Sequence, residues 1–155
     1  AWILTATYFD KGANNVPSVS STSSAVLRSP SLKADQATTL NGVSVVRYGG
    51  SVGLENIRHN TSAAYDNIDL TGVRTIGVST FMLADQNAGG VVEVHLDKPD
   101  GELLGNVSVS RPGMSSGDVK IRSLDGNHTV YVVFKNSEAG TKPLFYFGGL
   151  QLSNK

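Results

Sequence analysis

The chain has 155 residues, 13 basic and 13 acidic side chains, 17 glycines and no cysteine. That length fits one ordinary domain, which can bury about two-thirds of its surface on folding. The absence of cysteine excludes a disulfide scaffold, a thiolate zinc site, an iron–sulfur cluster and a cysteine nucleophile. Zero net charge removes the footprint of a nucleic-acid binder, and no run of 18 apolar residues offers a membrane span.

The first thirty residues predict a strand at 2–8, a Gly-, Asn-, Pro- and Ser-rich loop at 10–24 and a second strand at 25–28. Thirty residues cannot enclose a core. Segment 1–30 is therefore expected as an N-terminal hairpin or extension packed on a main domain, 31–155. The opening AWILTATYFDKG has neither an initiator Met nor a basic region with a cleavage signature, and reads as a piece of a longer chain or a mature fragment.

From residue 31 onward the apolar residues recur with period two, the spacing of strands. SLKAD (31–35) and VSVVRYGG (43–50) are short strands flanking an Asn41-Gly42 turn. YDNIDL (65–70) ends at Thr71-Gly72. In RTIGVSTFML, Ile76, Val78, Thr80 and Met82 share one side, and Thr75, Gly77, Ser79, Phe81 and Leu83 share the other. Val92, Val94 and Leu96 alternate with Glu93, His95 and Asp97 before a Pro99-Asp100-Gly101 turn. A strand carrying Leu103, Gly105, Val107 and Val109 stops at Arg111-Pro112-Gly113. HTVYVVF is apolar on both faces, as a central strand is. PLFYFGGLQL closes the chain, with a bulge expected at Gly148-Gly149. About ten short antiparallel strands at this spacing predict an all-β sandwich of the jelly-roll kind. Phe81, Tyr131, Phe134, Phe145 and Phe147 read as packing residues, and Tyr48 as either core or loop rim.

Catalytic signals are thin. Gly113-Met114-Ser115-Ser116-Gly117 matches G-x-S-x-G, but no helix follows to form a nucleophile elbow, so it reads as a Ser/Gly-rich turn. His59, His95 and His128 lie on separate segments and make no metal triad. Asp97-Lys98-Pro99-Asp100-Gly101 lacks the ligand spacing of a calcium loop. Glu93 has no evident carboxylate partner for glycosidase chemistry.

GGVVEVHLDKPDGELLGNVSV, HTVYVVFKN and PLFYFGGLQL, in that order, resemble the family-6 carbohydrate-binding modules. AYDNIDLTGVRTIGVS matches the segment leading into the same core, and SLKADQA stands where the family has its opening E-A-E. The resemblance covers about 32–152 and implies a β-jelly-roll that binds glycans without catalysis, attached to secreted polysaccharide-active enzymes. WILTATYFDKGANNVPSVSSTSSAVLRSP more distantly resembles the lead-in to such modules in large secreted bacterial proteins carrying cytochrome c or quinone-dependent sugar dehydrogenase domains.

The family clasps a sugar ring between two aromatic side chains at the loop end of the sandwich and adds an asparagine near the start of the last strand. In this chain Met114 stands where the family usually has Trp, Leu54 and Ser62 are nearest to the second aromatic, and Tyr146 takes the asparagine position. The carried-over cleft would comprise Tyr146, Met114, Arg58, His59 and Asn60, with Glu55 as polar anchor. Of the acids that hold a structural calcium in the family, Lys33 and Gly148 replace two, and Asp35 remains as the candidate ligand.

Three readings follow. The first is a secreted, periplasmic or surface module, bacterial in type, that takes a neutral polysaccharide or oligosaccharide and targets neighbouring catalytic or redox domains of the same chain; it binds no nucleic acid and no membrane. The second is a degenerate sandwich with a structural or docking role. The third, a hydrolase using Ser115, rests on the pattern match alone.

Overall fold

A computed structural model describes residues 2–12, 17–27 and 29–155. Arg28 and positions 13–16, parts of the expected second strand and loop, lie outside the described residues. The chain divides into two compact units, 1–30 and 31–155.

The first unit is an antiparallel ribbon of β1 (Trp2–Phe9) and β2 (Ser20–Leu27), in register from Trp2 opposite Leu27 to Phe9 opposite Ser20. β2 begins well before the expected position 25, because SSTSS pairs with the alternating run of β1 despite its turn-like composition. Thr5 Oγ1 and Ser24 Oγ lie 3.1 Å apart across the ribbon, the cross-strand hydroxyl pairing that stabilises such strands.

The second unit is a β-sandwich. Its strands are β3 (Ser31–Lys33), β4 (Thr39–Asn41), β5 (Ser44–Tyr48), β6 (Ser51–Glu55), β7 (Ser62–Asp69), β8 (Thr75–Met82), β9 (Gly90–Leu96), β10 (Glu102–Val109), β11 (Gly113–Lys120), β12 (Asn127–Lys135) and β13 (Tyr146–Ser153). One sheet has the order β10-β9-β12-β7-β4, with the doubly apolar β12 at its centre. The other has the order β11-β8-β13-β6-β5, and β3 also pairs with β13.

Period-two alternation sends one side of each strand into a shared core. Ile76, Val78 and Phe147 of one sheet meet Val94, Val132 and Phe134 of the other, all 0–1% exposed. Phe134 packs edge-on against Phe145 and Phe147, with ring centroids 5.8 and 5.6 Å apart, a geometry favoured by the aromatic quadrupole. Burial, seconded by the Asp35 carboxylate, pushes the Tyr65 phenol well above its ordinary value. It stays protonated and donates to Lys33 O at 3.2 Å.

Two further segments depart from the sequence reading. The strand expected at 31–35 ends at Lys33, and Ala34–Gln36 form a single 3-10 turn in which Gln36 Oε1 accepts from the Lys33 N–H at 2.7 Å. The stretch containing G-x-S-x-G is the eight-residue strand β11, paired with β8 from Gly113 opposite Met82 to Lys120 opposite Thr75. It has few of the β-branched residues that mark strands. Its place comes from the register with β8, and from a close approach in which a Cβ at Gly117 would collide with the Val107 side chain of β10. The break expected in the last strand is a bulge between Phe147 and Gly149, where Gly149 has φ 142° and a Cβ would strike Leu32 O.

Candidate functional site

The alternation that buries Ile76, Val78, Thr80 and Met82 leaves Thr75, Gly77, Ser79 and Phe81 on the outer face of the β11-β8-β13-β6-β5 sheet. Register then builds a row across three strands, because Met114 lies opposite Phe81 and Tyr146 lies opposite Phe81 on its other side. The Phe81 and Tyr146 rings are 6.1 Å apart and tilted by 41°. Met114 is 79% exposed and Phe81 36% exposed. Tyr48, 71% exposed, stands across a depression of about 630 Å³ that these side chains line.

The floor of the depression includes Gly53, Ser79 and Gly148. A Cβ at Gly148 would come within 2.8 Å of Ser79 Oγ, so a larger residue there would displace the floor. The Ser79 hydroxyl donates to Gly149 O at 3.2 Å, and its oxygen retains acceptor capacity. Leu83 and Gln86 close the rim. The result is a concave surface with apolar walls, a few polar groups and backbone accessible at its base, the general form of a small-molecule site.

The residues carried over from the family cleft separate into two groups. Met114 and Tyr146 line the depression, Met114 from a strand rather than the loop that the sequence predicts. Glu55, Arg58, His59 and Asn60 do not line it. Glu55 is half-buried at the end of β6. Arg58 Nη1 donates to Thr141 O, the Asn136 N–H donates to His59 Nδ1 at 3.1 Å, and Lys135 Nζ donates to Asn60 Oδ1 at 2.8 Å. Asn60 sits at φ 65°, a conformation Asn tolerates well, and its N–H donates to Phe134 O. This loop is stapled to the end of β12 and the loop after it.

The calcium expectation does not fit the residues present. Asp35 Oδ2 accepts from Arg47 Nη2 at 2.7 Å, so its charge is already met by a guanidinium. Among the described residues no three His, Asp or Glu side chains gather as a metal site, whereas calcium takes six to eight oxygens, carboxylates prominent among them.

Serine chemistry has no support in the fold either. Ser115 lies within β11 opposite Thr80, whose hydroxyl donates to Ser115 O at 3.4 Å. The histidines are engaged elsewhere. His95 lies between Glu93 Oε2 and Gly101 O at 3.1 and 3.0 Å, and His128 Nδ1 lies 3.1 Å from Asp97 Oδ2. Burial works to raise the Asp97 carboxyl, but the hydrogen bonds from His128 and the Thr129 N–H outweigh it and hold the group below its ordinary range.

Phe81 is the residue that sequence reasoning assigns to packing and the structure places at the site. Its alternation with the buried Thr80 and Met82 is the signal that separates it from the core set, since Phe134, Phe145 and Phe147 are 0–1% exposed.

The model of the carbohydrate binding module (family 6) matches residues 30–154. The chain belongs to this family. It is a non-catalytic carbohydrate-binding module with a β-sandwich fold. Among solved structures, the family-6 module from Clostridium cellulolyticum in complex with xylose shares 21% identity at a TM-score of 0.68, covering 81% of this chain and 99% of that one. The β-1,3-glucan-binding module from Bacillus halodurans shares 21% at 0.70, covering 82% and 98%. The Clostridium stercorarium module in complex with cellobiose shares 20% at 0.66, covering 83% and 97%. No curated protein matches the chain. Residues 31–155 of this module thus share the sandwich of those proteins.

Proposed function

We propose that this module binds a saccharide on the outer face of the β11-β8-β13-β6-β5 sheet, with Phe81 and Tyr146 as the stacking platform and Met114 and Tyr48 as flanking walls. The observation that carries this reading is the exposed Met114–Phe81–Tyr146 row beside a depression floored by glycine and serine. One face of a pyranose presents C–H groups that pack on an aromatic ring, while its hydroxyls need a few fixed polar partners. Ser79, Ser51 and Gln86 are placed to serve as those partners. The xylose and cellobiose complexes and the β-1,3-glucan binding of the similar structures support a saccharide as the ligand class.

Binding without catalysis gives such a module its use as a targeting device, holding neighbouring domains of a longer chain on a polysaccharide, in an extracellular or periplasmic setting. No described helix is long and apolar enough to cross a membrane. Affinity electrophoresis on polysaccharide gels, paired with an NMR titration, tests the placement. Retardation with shifts at Phe81, Met114 and Tyr146 is expected. Shifts confined to Arg58, His59 and Asn60 would overturn the placement, and no retardation on any gel would favour the docking role.

A further inference from the structure

The depression at Phe81 adjoins a second one on the same outer face, and together they form a groove bordered in the middle by Ser79 and Gly148. The second depression, of about 660 Å³, runs down that face to Thr75 and Ser153. The stretch of β8 from Phe81 to Thr75 spans about 20 Å, room for several sugar rings in a row.

The two halves differ in chemistry. The first is walled by Tyr48, Phe81, Met114 and Tyr146. The second is walled by Lys33 of β3, Lys120 of β11 and Lys155 beyond β13, with Asp118 as the one acidic side chain among its lining residues. All three lysines are exposed, and the ion pairs of the described residues involve other cations. In a chain with 13 charges of each sign and only 17% charged residues, three cations against one acid in a single groove is a local excess.

We propose that the ligand of this module is an acidic glycan: one ring stacks at Phe81 and Tyr146, and a carboxylate or sulfate farther along the same chain pairs with Lys33, Lys120 and Lys155. The proposal rests on the reading of Phe81 and Tyr146 as the sugar platform. An ammonium group is a compact charge on a flexible stem, suited to anions spaced along a polymer rather than to one fixed bidentate group. The pairing is exposed, so it is screened by salt. A nucleic acid would also bring anions, but the zero net charge of the chain gives no long-range attraction for a polyphosphate.

The experiment compares the full chain with the Lys33→Gln/Lys120→Gln/Lys155→Gln variant in titrations against oligogalacturonate, a sulfated galactan oligosaccharide, a neutral β-glucan oligosaccharide and single-stranded DNA. The wild type should bind one of the acidic glycans roughly tenfold more tightly than the neutral one, and added NaCl should erase that margin. The carboxylate and sulfate arms tell which anion is read. The variant should lose the margin while keeping the neutral affinity and the unfolding midpoint. Equal affinity for acidic and neutral glycans, or a variant whose margin is unaltered, overturns the proposal and leaves the platform standing. DNA binding as tight as that of the acidic glycans overturns it too, as plain ion exchange. If Tyr146→Ala has no effect on any glycan, or no glycan binds at all, the platform itself has failed.

Discussion

The loop carrying Arg58, His59 and Asn60 and the sheet face carrying Phe81, Met114 and Tyr146 both hold residue types that recognise sugars, yet the fold uses them in opposite ways. In the loop each side chain is engaged within the protein: Arg58 on Thr141 O, His59 on the Asn136 N–H and Asn60 on Lys135 Nζ. On the face, large apolar side chains stand in solvent beside a floor of glycine and serine. A polar group already satisfied inside the protein gains little from a ligand hydroxyl, whereas exposed aromatic surface gains by being covered. What marks the site is therefore unspent surface rather than residue type.

The strongest way to break the comparison is to remove what holds the face in place. Phe147 follows Tyr146 and points into the core with no exposure. Phe147→Ala should cost about 3–5 kcal/mol in denaturant unfolding and abolish glycan retention with it. Tyr146→Ala and Phe81→Ala come next, each expected to weaken glycan binding by roughly tenfold or more. Their unfolding midpoints should stay close to wild type, because both rings are already partly in water. His59→Ala asks the converse question. It leaves the Asn136 N–H without its acceptor and should cost about 1 kcal/mol in stability, while titration with the same saccharide gives an unaltered affinity.

The smallest expected effect concerns pH. Asp97 is held below its ordinary carboxyl value of 3.8 in the folded state. Its contribution to stability is therefore complete above that unfolded-state value and is lost as pH falls through the lower folded-state value. Thermal unfolding followed across the acid range should show the wild type losing more stability than Asp97→Asn. Glycan affinity at a pH where both remain folded should be the same for the two, since the Asp97–His128 pair does not line the groove.

Much of the fold was legible because strand alternation is a local property. The sides assigned to Ile76, Val78, Thr80 and Met82, to Val92, Val94 and Leu96, and to the doubly apolar β12 are those the sandwich uses. β11 escaped because GMSSGDVK has almost no β-branched residue to mark it, and its strand state is imposed by eight paired positions on β8. For the site, Met114 and Tyr146 could be placed by motif order, but Phe81 could not. Alternation sets Phe81 on the side of β8 with Thr75, Gly77 and Ser79, opposite Ile76, Val78 and Met82, but which of those two sides meets solvent is decided by the packing of the sheets.

The sequence by itself determined the chemical character of this module: all-β, without thiol chemistry, without net charge, and with a motif order that belongs to the family-6 carbohydrate-binding modules. Tertiary structure alone decided which residues are free to meet a ligand. It set Met114, Phe81 and Tyr146 side by side from strands more than thirty positions apart, committed Asp35 to Arg47, and gathered three lysines at one end of a groove. Alternation is read between adjacent residues, whereas register, and with it the company each side chain keeps, depends on hydrogen bonds between strands distant along the chain.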